Sequence, residues 1–100
     1  QKAANMTQTL QPEGKLNALG RILSGDIAFT RGQYEDAAKQ YVSVSVVFDD
    51  PVITPQALEK AYVAYLRLGN EKEAAKTLNR LKSRFPEYQL TLPEARANAG

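Results

Sequence analysis

The sequence predicts an all-α fold made of two full helical hairpins with partial helices at either end. Three observations carry this. Displacing the chain against itself by 37 residues aligns Gly32 with Gly69, Ala37 with Ala74, Ala38 with Ala75, Lys39 with Lys76 and Phe48 with Phe85. Both copies space their apolar residues at helical intervals. Glycine, asparagine and proline stand where the periodic runs stop, as helix ends require.

Each element can be justified in chain order. Ala3, Met6 and Leu10 have helical spacing before Pro12, which predicts the second helix of an earlier, truncated repeat over residues 2–10. Residues 15–31 read as the first long helix, with Leu16, Leu19, Ile22, Leu23, Ile27 and Phe29 as its apolar surface. Gly20 and Gly25 each lower its intrinsic helicity by about 1 kcal/mol relative to alanine, so a neighbouring helix is expected to approach closely at both. After Gly32, the residues Tyr34, Ala37, Ala38, Tyr41, Val44 and Phe48 share one helical face. A strand signal competes there, because Val42, Val44 and Val46 alternate with Ser43 and Ser45. The second copy decides for helix, since Ala74, Ala75, Leu78, Leu81 and Phe85 keep the 3.6-residue period among strong helix formers.

Between the copies, Thr54 and Pro55 mark the start of a helix over residues 55–68, which Gly69 ends. Asn70 is placed to cap the helix over 71–84, with Glu73 positioned for a capping box and Pro86 preventing continuation. Thr91 and Glu94 predict a short terminal helix. The chain thus divides into residues 1–12, a first hairpin at 13–50, a second at 51–86 and a tail at 87–100.

Composition narrows the chemistry. A chain of 100 residues with 43% hydrophobic and 24% charged residues is rich enough in apolar side chains to fold as one domain. It has no histidine and no cysteine, which removes imidazole bases, thiolate nucleophiles, disulfides and the commonest zinc sites together. An enzyme is not expected, and no metal or cofactor is called for. No run of apolar residues reaches the roughly 18 needed for a membrane span. The chain opens on Gln1 without an apolar leader and reads as a fragment of a longer protein. The net charge of +2 is concentrated in the second half.

The repeated residues resemble the tetratricopeptide repeat (TPR), over about residues 18–86. In residues 55–86 the likeness rests on Tyr65, Gly69, Ala74, Leu81 and Pro86, and in the first copy on Gly25, Gly32, Tyr34, Ala37 and Tyr41. The chain departs from the family pattern at Arg21 and Leu58, which stand where an aromatic residue is usual, and at Asp49, which replaces the first terminal proline. The 37-residue spacing also exceeds the usual unit of about 34. Such elongated repeats are similar to those of bacterial cell-envelope proteins, including outer-membrane assembly lipoproteins and a coordinator of the Tol-Pal system. That likeness implies the bacterial periplasm or cell envelope, with the cytoplasm as the alternative.

The resemblance implies an α-α superhelix serving as a non-enzymatic protein-binding scaffold, in which the first helix of each pair faces a concave groove for a partner peptide or helix. Carried over by position, the groove residues are Leu19, Ile22, Asp26 and Phe29 in the first copy, and Gln56, Glu59, Lys60, Val63, Leu66 and Arg67 in the second. Glu59 and Arg67 are expected to be exposed. Leu19, Ile22, Phe29 and Leu66 read first as ordinary core residues. The subfamily that clamps C-terminal carboxylates is disfavoured, because Ile22, Asp26 and Val63 occupy its lysine and asparagine positions and only Lys60 is basic.

Two other partner classes follow from the residues. A short repeat stack leaves apolar ends, which predicts self-assembly into a homo-oligomer as the alternative function. Lys72, Lys76, Arg80 and Arg84, with Lys82 nearby, form a basic stripe that reads first as a solvated outer helix face, with an anionic partner as the alternative. Nucleic acid is disfavoured, since no aromatic residue interleaves with the stripe. Ser43, Ser45 and Ser83 have no histidine partner, and Asp49 with Asp50 reads as a helix stop. Asn5, Met6 and Thr7 form a glycosylation sequon.

Overall fold

The structure, a computed structural model, describes residues 11–99, with side chains from residue 14 onward. The expected helix over 2–10 and the Asn5 sequon lie outside the described residues. Five helices follow one another, α1 (Gln11–Thr30), α2 (Tyr34–Val47), α3 (Ile53–Leu68), α4 (Glu71–Arg84) and α5 (Pro93–Ala99), and no strand occurs among the described residues. The alternating Val42–Val46 segment is helical, because Val44 and Ser45 are needed in the core at helical spacing.

The 37-residue sequence repeat recurs bond for bond in the backbone. Gly32 and Gly69 adopt φ of +77° and +84°, a region that only glycine enters without strain. Gln33 N–H donates to the Ala28 carbonyl at 2.8 Å, and Asn70 N–H donates to Tyr65 at 3.0 Å. Gly32 N–H reaches Phe29 at 3.0 Å and Gly69 N–H reaches Leu66 at 3.1 Å. Both turns are therefore Schellman closures that satisfy the last helical carbonyls. Phe48 and Phe85 end α2 and α4 alike, each donating to the carbonyl four residues back at 2.9 Å.

The first two helices pack antiparallel. Gly14 lies against Phe48, Ala18 clusters with Val44, and Gly25 meets Tyr41, so α1 and α2 run in opposite directions along a shared seam. Ala37, Ala38 and Tyr41 of α2 join Ala28 of α1 with Ala61 and Ala64 of α3 in one core cluster. Alanines dominate this layer because helices in hairpins of this kind approach closely. Across the interior as a whole, Tyr41, Leu58, Leu81 and Val44 are among the largest buried side chains, and each contributes about 1.5–3 kcal/mol by leaving water.

Several expectations are corrected by tertiary contacts. α1 is already helical at Gln11, the first described residue, rather than from residue 15. It ends at Thr30, since Arg31 already belongs to the turn. Gly25 has the expected close neighbour, as an added Cβ would lie 2.5 Å from the Tyr41 ring. Gly20 does not, and a Cβ there would meet nothing within 4 Å.

Thr54 does not cap α3. It lies buried inside the first turn and donates to the Phe48 carbonyl at 2.6 Å, while Asp50 caps the helix by accepting from Val52 and Ile53 N–H, both at 2.7 Å. Those two bonds hold the Asp50 carboxyl below its ordinary range. Asn70 does cap α4, accepting from Glu73 N–H at 3.2 Å. The Glu73 carboxylate lies 3.5 Å from Lys76, and Asn70 N–H goes to Tyr65, so the reciprocal half of a capping box is not made.

Candidate functional site

A concave pocket of about 430 Å³ opens between α1, α3 and the start of α5, lined by Asp26, Phe29, Tyr41, Lys60, Val63, Arg67, Leu92, Pro93 and Glu94. Helical spacing assembles it. Lys60, Val63 and Arg67 follow one another at i, i+3 and i+7 along one face of α3. Asp26 and Phe29, three residues apart on α1, form the facing wall. Leu92, Pro93 and Glu94 form the third side.

Two ion pairs border this apolar floor. Lys60 Nζ donates to both Asp26 oxygens at 3.0 and 3.2 Å and stands 5.8 Å above the Tyr41 ring. The Tyr41 hydroxyl also donates to Asp26, at 2.5 Å. Burial, reinforced by the adjacent Asp26 carboxylate, pushes the Tyr41 phenol well above its ordinary value. At the other border, Arg67 Nε donates to Glu94 at 3.0 Å and its guanidinium lies 4.9 Å from the Phe29 ring centre and 5.9 Å from that of Tyr34. Phe29 and Tyr34 meet edge to face at 5.1 Å, which fixes the platform beneath the arginine. The bond to Glu94 holds Arg67 more firmly charged.

Both pairs are substantially exposed and screened by solvent, so they add little to stability. Their effect is geometric: long side chains that would otherwise sweep through solvent are held at the pocket rim, lowering the ordering cost of a bound ligand.

Five of the residues carried over from the repeat pattern line this pocket, namely Asp26, Phe29, Lys60, Val63 and Arg67. Four do not. Leu19 is 42% exposed on the outer face of α1, and Ile22 packs half-buried between two core clusters. Gln56 is exposed outside the pocket lining. Leu66, half-buried, packs against the cluster of Tyr62, Val63, Ala74 and Ala95.

Glu59 is the clear correction. It is 1% exposed rather than displayed in a groove, because the segment after α4 returns over α3 and covers it. Its carboxylate accepts from the Tyr88 hydroxyl at 2.7 Å, from Thr91 N–H at 2.7 Å and Oγ1 at 3.1 Å, and from Leu92 N–H at 2.8 Å. Thr91 is thereby drawn into Glu59 and does not act as the cap expected for α5. Glu94, expected in that cap, reaches Arg67 instead.

Sequence reasoning missed Tyr41, Leu92, Pro93 and Glu94. Tyr41 carried a core signal at helical spacing, and its hydroxyl was the only hint that it also reaches Asp26. The Leu92-Pro93-Glu94 run signalled a helix start, but nothing local reveals where that start docks.

The basic stripe on α4 is solvated for most of its length. Lys72 and Arg80 are exposed and Lys76 pairs with Glu73, whereas Arg84 leaves the stripe by donating to the Ser45 carbonyl at 3.1 Å and to Asp49 at 3.2 Å. Among the described residues no helix is long and apolar enough to cross a membrane.

The fold defines an all-α chain of consecutive helical hairpins with a cleft shaped by first helices and tail. Comparison with family models, curated proteins and solved structures finds no match for this chain.

Proposed function

We propose that the chain is a non-enzymatic interaction scaffold of TPR type, which holds a partner peptide in the pocket between α1, α3 and α5. The observation that carries this reading is the convergence of Asp26, Phe29, Lys60, Val63 and Arg67 from two different helices on one concave surface. An apolar floor with charged groups pinned at its rim suits a peptide that buries one apolar side chain and offers its amides to the rim. The paired geometry of the two hairpins supports the repeat resemblance, and that resemblance supports a groove formed by first helices. An envelope location is part of the same reading and rests on the elongated repeat spacing alone.

The test is selection of random displayed peptides on the full chain, followed by affinity measurements on a Lys60→Ala, Arg67→Ala double variant. Both side chains stand at the rim, so helicity should be unchanged. Selected peptides should bind the variant at least about tenfold more weakly. Equal affinity for both proteins, or no selectable peptide, would count against the groove.

A further inference from the structure

The face of α1 turned away from the hairpin core carries Leu16, Leu19, Leu23 and Ile27, exposed by 68, 42, 61 and 47%. Leu16, Gly20, Leu23 and Ile27 form one stripe at i, i+4, i+7 and i+11. The stripe itself has no charged residue, and beside its leucines lies the open position at Gly20, where a Cβ would meet nothing within 4 Å.

We propose that this face is a self-association surface, which seats a second copy of this chain with its α1 antiparallel about a two-fold axis. A two-fold interface must be complementary to itself. With the axis between residues 21 and 22, Leu16 lies opposite Ile27 of the second copy, and Gly20 lies opposite Leu23. Each leucine then fills the space left by the other copy's glycine, as knobs fill holes. A parallel arrangement would set Leu23 against Leu23 and leave the two glycines facing a void.

Charge selects the same direction. Lys15 is exposed, and Asp26 retains 43% side-chain exposure beside Lys60. Lys15 and Asp26 lie on one flank of the stripe, near opposite ends. In the antiparallel register Lys15 of one copy comes within about 3 Å, along the helix axis, of the level of Asp26 in the other. In a parallel pair the two copies of this flank would fall on opposite sides of the seam, and Lys15 and Asp26 would not meet.

The four side chains fall short of the roughly 800 Å² per partner of a standard stable interface. The pairing is therefore weak and concentration-dependent, with dimer growing in over about 10 μM to 1 mM. None of the four apolar residues lines the pocket, although Asp26 on their flank does.

Sedimentation equilibrium of the full chain across that range tests it. The average mass should rise from 11.0 kDa toward twice that value and stop there. Leu23→Asp should remain monomeric. Gly20→Leu fills the hole at a position with free space, so it should weaken association at least about tenfold while raising the melting temperature, because leucine is the better helix former. A monomer at the highest concentration, growth beyond the dimer, or a Gly20→Leu variant that associates as tightly as the parent would each overturn the proposal. A monomer whose melting temperature falls in Leu23→Asp would show instead that residues 1–10 cover the face, which also overturns it.

Discussion

Glu59 on α3 accepts the hydroxyl proton of Tyr88 at 2.7 Å across 29 positions of sequence, and with the bonds from Thr91 and Leu92 it fastens the segment after α4 onto α3. That fastening places Leu92, Pro93 and Glu94 against the pocket, so a residue that touches no ligand decides whether the pocket has a third side.

Glu59→Ala is therefore expected to lower folding stability by about 2–4 kcal/mol, because several partly buried donors lose one buried acceptor together. Urea denaturation measures the loss. Hydrogen exchange should locate it in residues 88–99, and an unchanged midpoint would contradict the anchoring role.

The two glycines inside α1 should respond in opposite directions. Gly25→Ala forces a Cβ to within 2.5 Å of the Tyr41 ring and should cost about 1–3 kcal/mol by overpacking. Gly20→Ala has free space and should stabilise by about 0.5–1 kcal/mol through helix propensity. Paired thermal melts of the two variants decide this.

Asp50→Ala should cost about 1 kcal/mol, since it removes the acceptor for two N–H groups at the start of α3. The folded chain holds the Asp50 carboxyl below its unfolded value, so its contribution is present above the ordinary carboxylate range and is lost as pH falls through the depressed value. Stability of the parent should therefore fall more steeply on acidification than that of Asp50→Asn. Denaturation midpoints taken from neutral to strongly acidic pH provide the comparison.

At alkaline pH the tyrosines dominate. Burial, followed by the bond to Glu59, pushes the Tyr88 phenol up to about 12, and burial with Asp26 raises Tyr41 further. The unfolded chain releases phenolic protons near pH 10. Stability is thus complete below that pH and declines as pH rises toward and past 12. Tyr88→Phe should flatten the decline while costing about 1 kcal/mol at neutral pH. Phenolate absorbance during a pH titration would show the late-titrating groups directly.

By itself the sequence determined the helices and their turns. Gly32 and Gly69 had to occupy the left-handed region, Asn70 was a competent cap, and Ala37, Ala74 and Leu81 marked buried faces, because these features depend on local geometry and a single period. The offset of 37 residues even foretold matching turn hydrogen bonds. The repeat resemblance implied Asp26, Phe29, Lys60, Val63 and Arg67, which are most of the pocket lining.

Tertiary structure alone decided which charged residues stay exposed. Glu59 and Lys60 are neighbours on one helix, yet the returning tail buries the first and leaves the second at the rim. Leu19 looked like groove or core and is neither, since it stands on the face of α1 turned away from the hairpin core. A helix's own period fixes which residues share a face, but what that face meets is set by the path of segments far along the chain. Tyr88, Thr91 and Leu92 follow that path to Glu59, and no local pattern encodes it.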